Sequence, residues 1–287
     1  FKNMYQKLSN LTVLSISTAF ALMSFLTSQL EITMWLDVFI LLPLIIWGLH
    51  RLMDERKRWL YFVSLLILFI QNYYFGFMVA IFLVLYFLAR MTYEKWSWTK
   101  VLDFVVSSAL AGIASLIMLL PMYLDLKSNN SDALSTLSGV FTENSHLFDL
   151  FAKNFVGTYD TTQFNAIPMI YVGMMPLALA ILFFFTKSIR LRSKFAFLGI
   201  IAFFVASFYL QALDLLWQGM HSPNMFLHRY AFLFSLLLVL MALETLFRWE
   251  EIKTWHILTI SLFLITGFLA TLIFGHYKYV MTSQVML

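Results

Sequence analysis

The chain has no cysteine among its 287 residues, and charged side chains make up only 12% of it. Without cysteine there are no disulfides, thiolate zinc sites, iron–sulfur clusters or cysteine nucleophiles. The shortage of charge is more restrictive. Soluble domains carry about 25% charged residues and about 45–50% apolar ones. Here 61% of the residues are hydrophobic and 31 are Phe. A soluble core of this length cannot hide that many apolar side chains. The composition is that of an all-α, polytopic transmembrane helical bundle. The formal net charge of +4 is small, so the placement of Lys and Arg matters more than their sum. Nucleic acid is excluded as a partner, and the lipid bilayer is the expected one. Soluble-enzyme signatures are also missing: no phosphate-binding loop, no dinucleotide-binding glycine pattern, no His-Glu-x-x-His and no Gly-x-Ser-x-Gly.

A helix needs roughly 20 apolar residues to cross a ~30 Å hydrocarbon core. Suitable runs fall at about 9–29, 35–50, 59–74, 75–90, 101–121, 168–186, 195–216, 229–247 and 257–275. The stretch from Trp59 to Ala89 is long for one crossing and short for two, and its flanking charges decide. Arg51, Arg56, Lys57 and Arg58 precede it, and Arg90, Lys95 and Lys100 follow it. If both clusters are cytoplasmic, the chain goes out and returns. The turn then lies at 71–76, around Gln71 and Asn72. About nine spans follow, with the start of the chain inside, and fifteen of the nineteen Lys and Arg residues fall on the cytoplasmic side. The exceptions are Lys127, Lys153, Arg229 and Lys278. One membrane domain results: spans over 1–121, an exterior loop at 122–167, and further spans over 168–287. Within the loop, Ser145 to Phe151 suits a short helix lying on the membrane. The chain opens on Phe1 without a Met, which suggests a piece of a longer protein.

The expected span centres carry almost no ionisable groups. Carboxylates or histidines at mid-membrane would mark a proton-coupled carrier. Polar residues gather instead at the exterior edge: Asp37 beside Trp35; Gln71, Asn72, Tyr73 and Tyr74; Asn224; and His228, Arg229 and Tyr230. The planar fork of Arg pairs well with phosphate oxygens, and an Asp serves as a general base for a hydroxyl. Asp37 also suits a plain helix N-cap, and Gln71-Asn72 an ordinary interfacial turn. Arg229 gains nothing from the charge rule on the exterior side. His50, His256 and His276 read as headgroup contacts.

Several segments resemble a known family in collinear order. They are Met34-Trp35-Leu36-Asp37, Asn72-Tyr73-Tyr74-Phe75-Gly76, Leu119-Leu120-Pro121-Met122-Tyr123, Pro223-Asn224-Met225-Phe226 and Arg229-Tyr230-Ala231-Phe232-Leu233-Phe234-Ser235. The family is YfhO, of bacterial membrane proteins. The resemblance implies a glycosyltransferase of the polytopic GT-C superfamily in the bacterial cytoplasmic membrane, working on its outer face. Such an enzyme moves a sugar from a polyprenyl-phosphate donor to a cell-envelope polymer such as lipoteichoic acid. It acts after a synthase that charges the lipid and a flippase that turns it over. The resemblance also implies that the acidic base lies on a loop preceding Phe1, so that this segment alone does not turn over. Asp37 is then the expected group for orienting the acceptor or holding a divalent cation beside that base; no other cofactor is implied. Arg229, with His228 or Tyr230, is expected on the leaving phosphate. Gln71, Asn72, Tyr73, Tyr74 and Asn224 are expected on sugar or lipid. Two other function classes stay open: a flippase or carrier of lipid-linked sugars, and a non-catalytic subunit of an envelope-polymer assembly.

Overall fold

A computed structural model of the chain describes residues 1–128, 139–142, 146–155, 168–221, 227–275 and 277. The described residues are helical with no strands; the one β-type contact is an isolated antiparallel bridge between Phe141 and Leu210. The first helices are α1 (Asn10–Ala21), α2 (Ser24–Ser28), α3 (Thr33–Glu55), α4 (Trp59–Gln71), α5 (Tyr73–Met91) and α6 (Trp98–Ser128). A short α7 (Asp149–Ala152) follows, then α8 (Met174–Leu182), α9 (Leu191–Tyr209), α10 (Gln211–Trp217), α11 (Ala231–Phe247) and α12 (Thr254–Phe274).

Five helices contain a stretch long and apolar enough to cross a membrane: α3, α5, α6, α9 and α12. Four more apolar helices are shorter: α1, α4, α11, and α8 with the turn that extends it to Phe185. Each expected span therefore has a helix, but four of the nine fall short of a full crossing length. Local breaks shorten α4 and divide the run at 195–216. Asn72 ends α4 and caps α5, its side-chain oxygen accepting from Phe75 N–H at 3.1 Å. Such a cap satisfies an amide that a helix start leaves without a partner. At Leu210 the chain leaves helical geometry between α9 and α10, where it pairs with Val140 and Thr142 through backbone hydrogen bonds.

Pro121 does not end its helix as expected. It sits inside α6, which continues to Ser128, so the chain stays helical well past residue 121. The expected surface helix at Ser145–Phe151 also differs. The helical turn found is Asp149–Ala152, with Asp149 and Ala152 buried, and the Phe151 ring presses on Gly267 of α12.

The packing is built around α11, whose residues from Ala231 to Thr245 are all buried. A helix that is apolar on every face belongs inside a bundle. Its few polar groups are satisfied there: Ser235 donates to the Ile170 carbonyl at 3.2 Å, and Thr245 to the Leu179 carbonyl at 2.9 Å. By contrast, α6 and α12 turn Ile113, Ile117, Leu262, Phe263 and Ile273 outward. In a multi-pass membrane protein such faces meet lipid, and small residues let neighbouring helices approach closely. Gly48 is the clearest case. A Cβ there would lie 2.6 Å from the Tyr61 backbone, so α3 and α4 touch main chain to main chain.

The helix ends sort the charges. At one end Arg90 pairs with Asp54 at 3.2 Å and with Glu244 at 3.7 Å. Glu244 also takes the Tyr5 hydroxyl at 2.8 Å and pairs closely with Arg248. Arg56 and Arg58 both bind the buried Asp103, and Lys100 pairs with Glu94 at 2.7 Å. Arg90 closes α5 and Asp54 lies in the last turn of α3, while Asp37 near the start of α3 meets Gln71 at the end of α4. So α4 and α5 run in opposite directions, as the out-and-back reading of 59–90 requires. His50 and His256 are buried rather than placed on headgroups: His50 bonds the Tyr86 hydroxyl at 2.9 Å, and His256 caps α12 through Lys253 N–H at 3.0 Å. His276 lies outside the described residues.

Candidate functional site at the opposite end

The other end of the bundle collects most of the polar residues singled out in the sequence. Three pieces of chain meet there: the first turns of α3, the α4–α5 junction, and the segment 227–230 that leads into α11. A fourth piece, α10, was not among the expected site segments.

Asp37 is not an N-cap. It lies within α3, which starts at Thr33, and its carboxylate accepts from Gln71 Nε2 at 2.6 Å. Asn72 is occupied by capping α5, and its amide also reaches the Met34 carbonyl at 3.4 Å. Tyr73 is exposed, while Tyr74 is half-buried with its hydroxyl 3.5 Å from Gln218 Oε1. Arg229 extends over two ring faces, 5.5 Å from the Trp35 centroid and 5.2 Å from the Tyr74 centroid. A guanidinium over an aromatic face is attracted by the ring quadrupole. Trp35 is held in turn by Phe75, whose centroid is 5.2 Å away, and by stacking on Phe25.

Beneath this lies a buried network that sequence reasoning missed. Asp214 of α10 accepts from His228 Nδ1 at 2.9 Å, from the Tyr230 hydroxyl at 2.9 Å and from Gln218 Nε2 at 2.9 Å. Asp214 is 7% exposed and His228 4%. A carboxylate inside Ala212-Leu213-Asp214-Leu215-Leu216 was the available sequence signal. Tyr230, expected as an alternative to His228 beside Arg229, lies inside this network. Its ring is fully buried, stacked between Trp217 at 5.0 Å and Phe208 at 5.5 Å, and its hydroxyl bonds Asp214.

His228 has φ of 53°, left-handed for a non-glycine residue. Such a backbone costs on the order of 1–3 kcal/mol and persists only where its surroundings hold it. Asp214 supplies that hold. Asn224 lies outside the described residues. Among the described residues, no three His, Asp or Glu side chains converge to hold a metal ion.

Asp149 of α7 is a neighbour of this network. Its carboxylate accepts from the Tyr277 hydroxyl at 2.5 Å and from His146 N–H at 2.7 Å. Burial pushes its pKa above the ordinary carboxylate value; those two hydrogen bonds and the field of His146 and His228 pull the other way.

A family model described as bacterial membrane protein YfhO matches residues 1–287. The chain belongs to the YfhO family. No curated protein and no solved structure matches it. Membership makes this chain a multi-pass membrane protein and accords with its apolar helices. It gives the YfhO chain a family consistent with a membrane glycosyltransferase-like role, without naming donor or acceptor.

Proposed function

We propose that this chain transfers a sugar from a polyprenyl-phosphate donor to a cell-envelope polymer such as lipoteichoic acid, at the outer face of the bacterial cytoplasmic membrane. The observation that carries the reading is Arg229, set over the Trp35 and Tyr74 rings at the end of the bundle where Asp37, Gln71 and His228 also gather.

In such a transfer the acceptor oxygen bonds the anomeric carbon, and the bond from that carbon to the phosphate oxygen breaks. Negative charge grows on the departing phosphate. A preorganised cation there stabilises the transition state more than the ground state. Arg229 takes this role because its guanidinium is seated over two rings at this end of the bundle. His228 stands next to it in the chain and supplies a second nitrogen. Asp37 and Gln71, bonded to each other, orient the acceptor hydroxyl, and the exposed Tyr73 offers a ring on which a sugar face can lie. Tyr74 serves as the seat of Arg229. By the family resemblance, an acidic residue takes the hydroxyl proton. A lipid-charging synthase and a flippase would supply the donor.

The test uses the full-length protein in proteoliposomes, with donor consumption and lipid translocation measured separately. Arg229→Ala and Asp37→Ala should abolish or strongly reduce sugar transfer while the protein stays folded. Full transfer by both variants would remove these roles. Translocation without donor consumption in the wild type would make the protein a carrier instead.

A further inference from the structure

We propose that Asp214 is the positioning residue of this end of the bundle. One of its oxygens sets the imidazole of His228, and the other, through Gln218 and Tyr74, sets the seat of Arg229. The inference rests on the transferase reading for its activity readout alone.

The hydrogen bonds divide cleanly between the two carboxylate oxygens. Oδ1 takes His228 Nδ1 and the Tyr230 hydroxyl; Oδ2 takes Gln218 Nε2. An ionised carboxylate only accepts, so the imidazole nitrogen that faces it carries the hydrogen. Nε2 is then the atom left to meet a hydroxyl or a phosphate oxygen. Carboxylates that sit behind a working histidine fix its tautomer and ring plane in this way.

The Gln218 amide is oriented by the same carboxylate. With Nε2 committed to Asp214, its Oε1 turns to the Tyr74 hydroxyl, and the Tyr74 ring lies under Arg229. A single buried side chain thus controls both nitrogen groups that the proposed transfer brings to the phosphate.

Two further features suit this role. Trp217 and Phe208 enclose Tyr230 on both faces, and hydrogen bonds in such dry surroundings are stiff. The Tyr230 oxygen lies 2.8 Å from the Ser207 carbonyl and 2.9 Å from Asp214 Oδ1. One hydrogen serves two acceptors there, so the phenol can adjust the carboxylate's hold on His228 without moving a ring. A purely structural Asp214, joining α10 to the segment before α11, would leave sugar transfer per folded molecule unchanged when replaced.

The experiment compares full-length wild type, Asp214→Asn and Gln218→Met in lipid nanodiscs, with thermal unfolding as the folding control. Histidine side-chain 15N NMR, assigned with His228→Gln, reads the tautomer directly. Wild type should show hydrogen on His228 Nδ1, and Asp214→Asn should lose that preference. In sugar transfer from a polyprenyl-phosphate sugar, Asp214→Asn should lower kcat on the order of 10–100-fold, the scale of a misplaced group in a preorganised site. Gln218→Met should keep the tautomer and lower kcat by less than Asp214→Asn, because it breaks only the link to Tyr74 and the seat of Arg229.

An unchanged tautomer in folded Asp214→Asn overturns the proposal. So does full transfer by Asp214→Asn when Arg229→Ala has none. If Asp214→Asn does not fold, a wild-type His228 without hydrogen on Nδ1, or an unchanged kcat in Gln218→Met, overturns it instead. If the wild type transfers no sugar, the transferase reading falls, and the NMR arm alone decides the role of Asp214.

Discussion

The two ends of the bundle handle their charges in opposite ways. At the Arg90 end, cations and carboxylates answer one another: Arg90 with Asp54 and Glu244, Arg248 with Glu244, Arg56 and Arg58 with Asp103. At the Arg229 end, carboxylates meet an amide, an imidazole and a phenol, and the guanidinium lies on ring faces. Those partners and rings hold the groups in place. The first arrangement stabilises the assembly of helix ends. The second keeps charged groups in set orientations, as a site for an ionic substrate requires.

Substitutions at each end should separate these roles, and the largest effect is expected at the Arg90 end. Glu244→Gln leaves Arg90 and Arg248 without their shared carboxylate. Breaking a buried pair by removing one partner costs about 3–5 kcal/mol. Unfolding in detergent should shift accordingly, with transfer per folded molecule unchanged. A loss of transfer with no loss of stability would dissolve the distinction between the ends.

Arg229→Ala should show the reverse pattern. Loss of a preorganised charge-stabilising group lowers kcat about 10²–10³-fold, while exposed cation–π contacts contribute only about 0.5–1 kcal/mol each to stability. Arg229→Lys should fall between wild type and Ala, because it keeps the charge and loses the planar fork.

Gly48→Leu probes how far the ends depend on one another. The added side chain meets the Tyr61 backbone, and overpacking of this kind costs about 1–3 kcal/mol. Since α3 carries Asp37 at one end and Asp54 at the other, both stability and transfer should decline together. Circular dichroism melts and the transfer assay check this.

The smallest effect belongs to Glu94, exposed between α5 and α6. The hydrogen bond from Lys100 holds its carboxyl below the ordinary value, against a smaller opposing desolvation. A lowered folded-state pKa adds stability above the unfolded value of 4.5, and that stability is lost as pH falls through the folded value. For an exposed pair the contribution is a few tenths of a kcal/mol, weakened by salt. Glu94→Gln should remove that increment of acid sensitivity in melts recorded from neutral pH downward.

The amino-acid sequence determined the helical membrane class, the approximate helix positions and the reversal at Gln71–Asn72. These depend on local apolar runs, a capping residue and the sign of flanking charges, all readable along the chain. It also picked out Asp37, Gln71, Tyr74, His228 and Arg229, since polar residues at a bilayer edge stand out against an apolar background. Only the tertiary structure decided what those residues touch. Sequence could not show that Asn72 is taken up in capping, that the Tyr230 ring is sealed between Trp217 and Phe208, or that α6 runs through Pro121. Nor could it show that Asp214 lies under His228, fourteen positions further along the chain. Hydropathy reports how much apolar surface a segment must bury. It does not report which helix covers it, and partners brought together by packing leave no periodic mark in the chain.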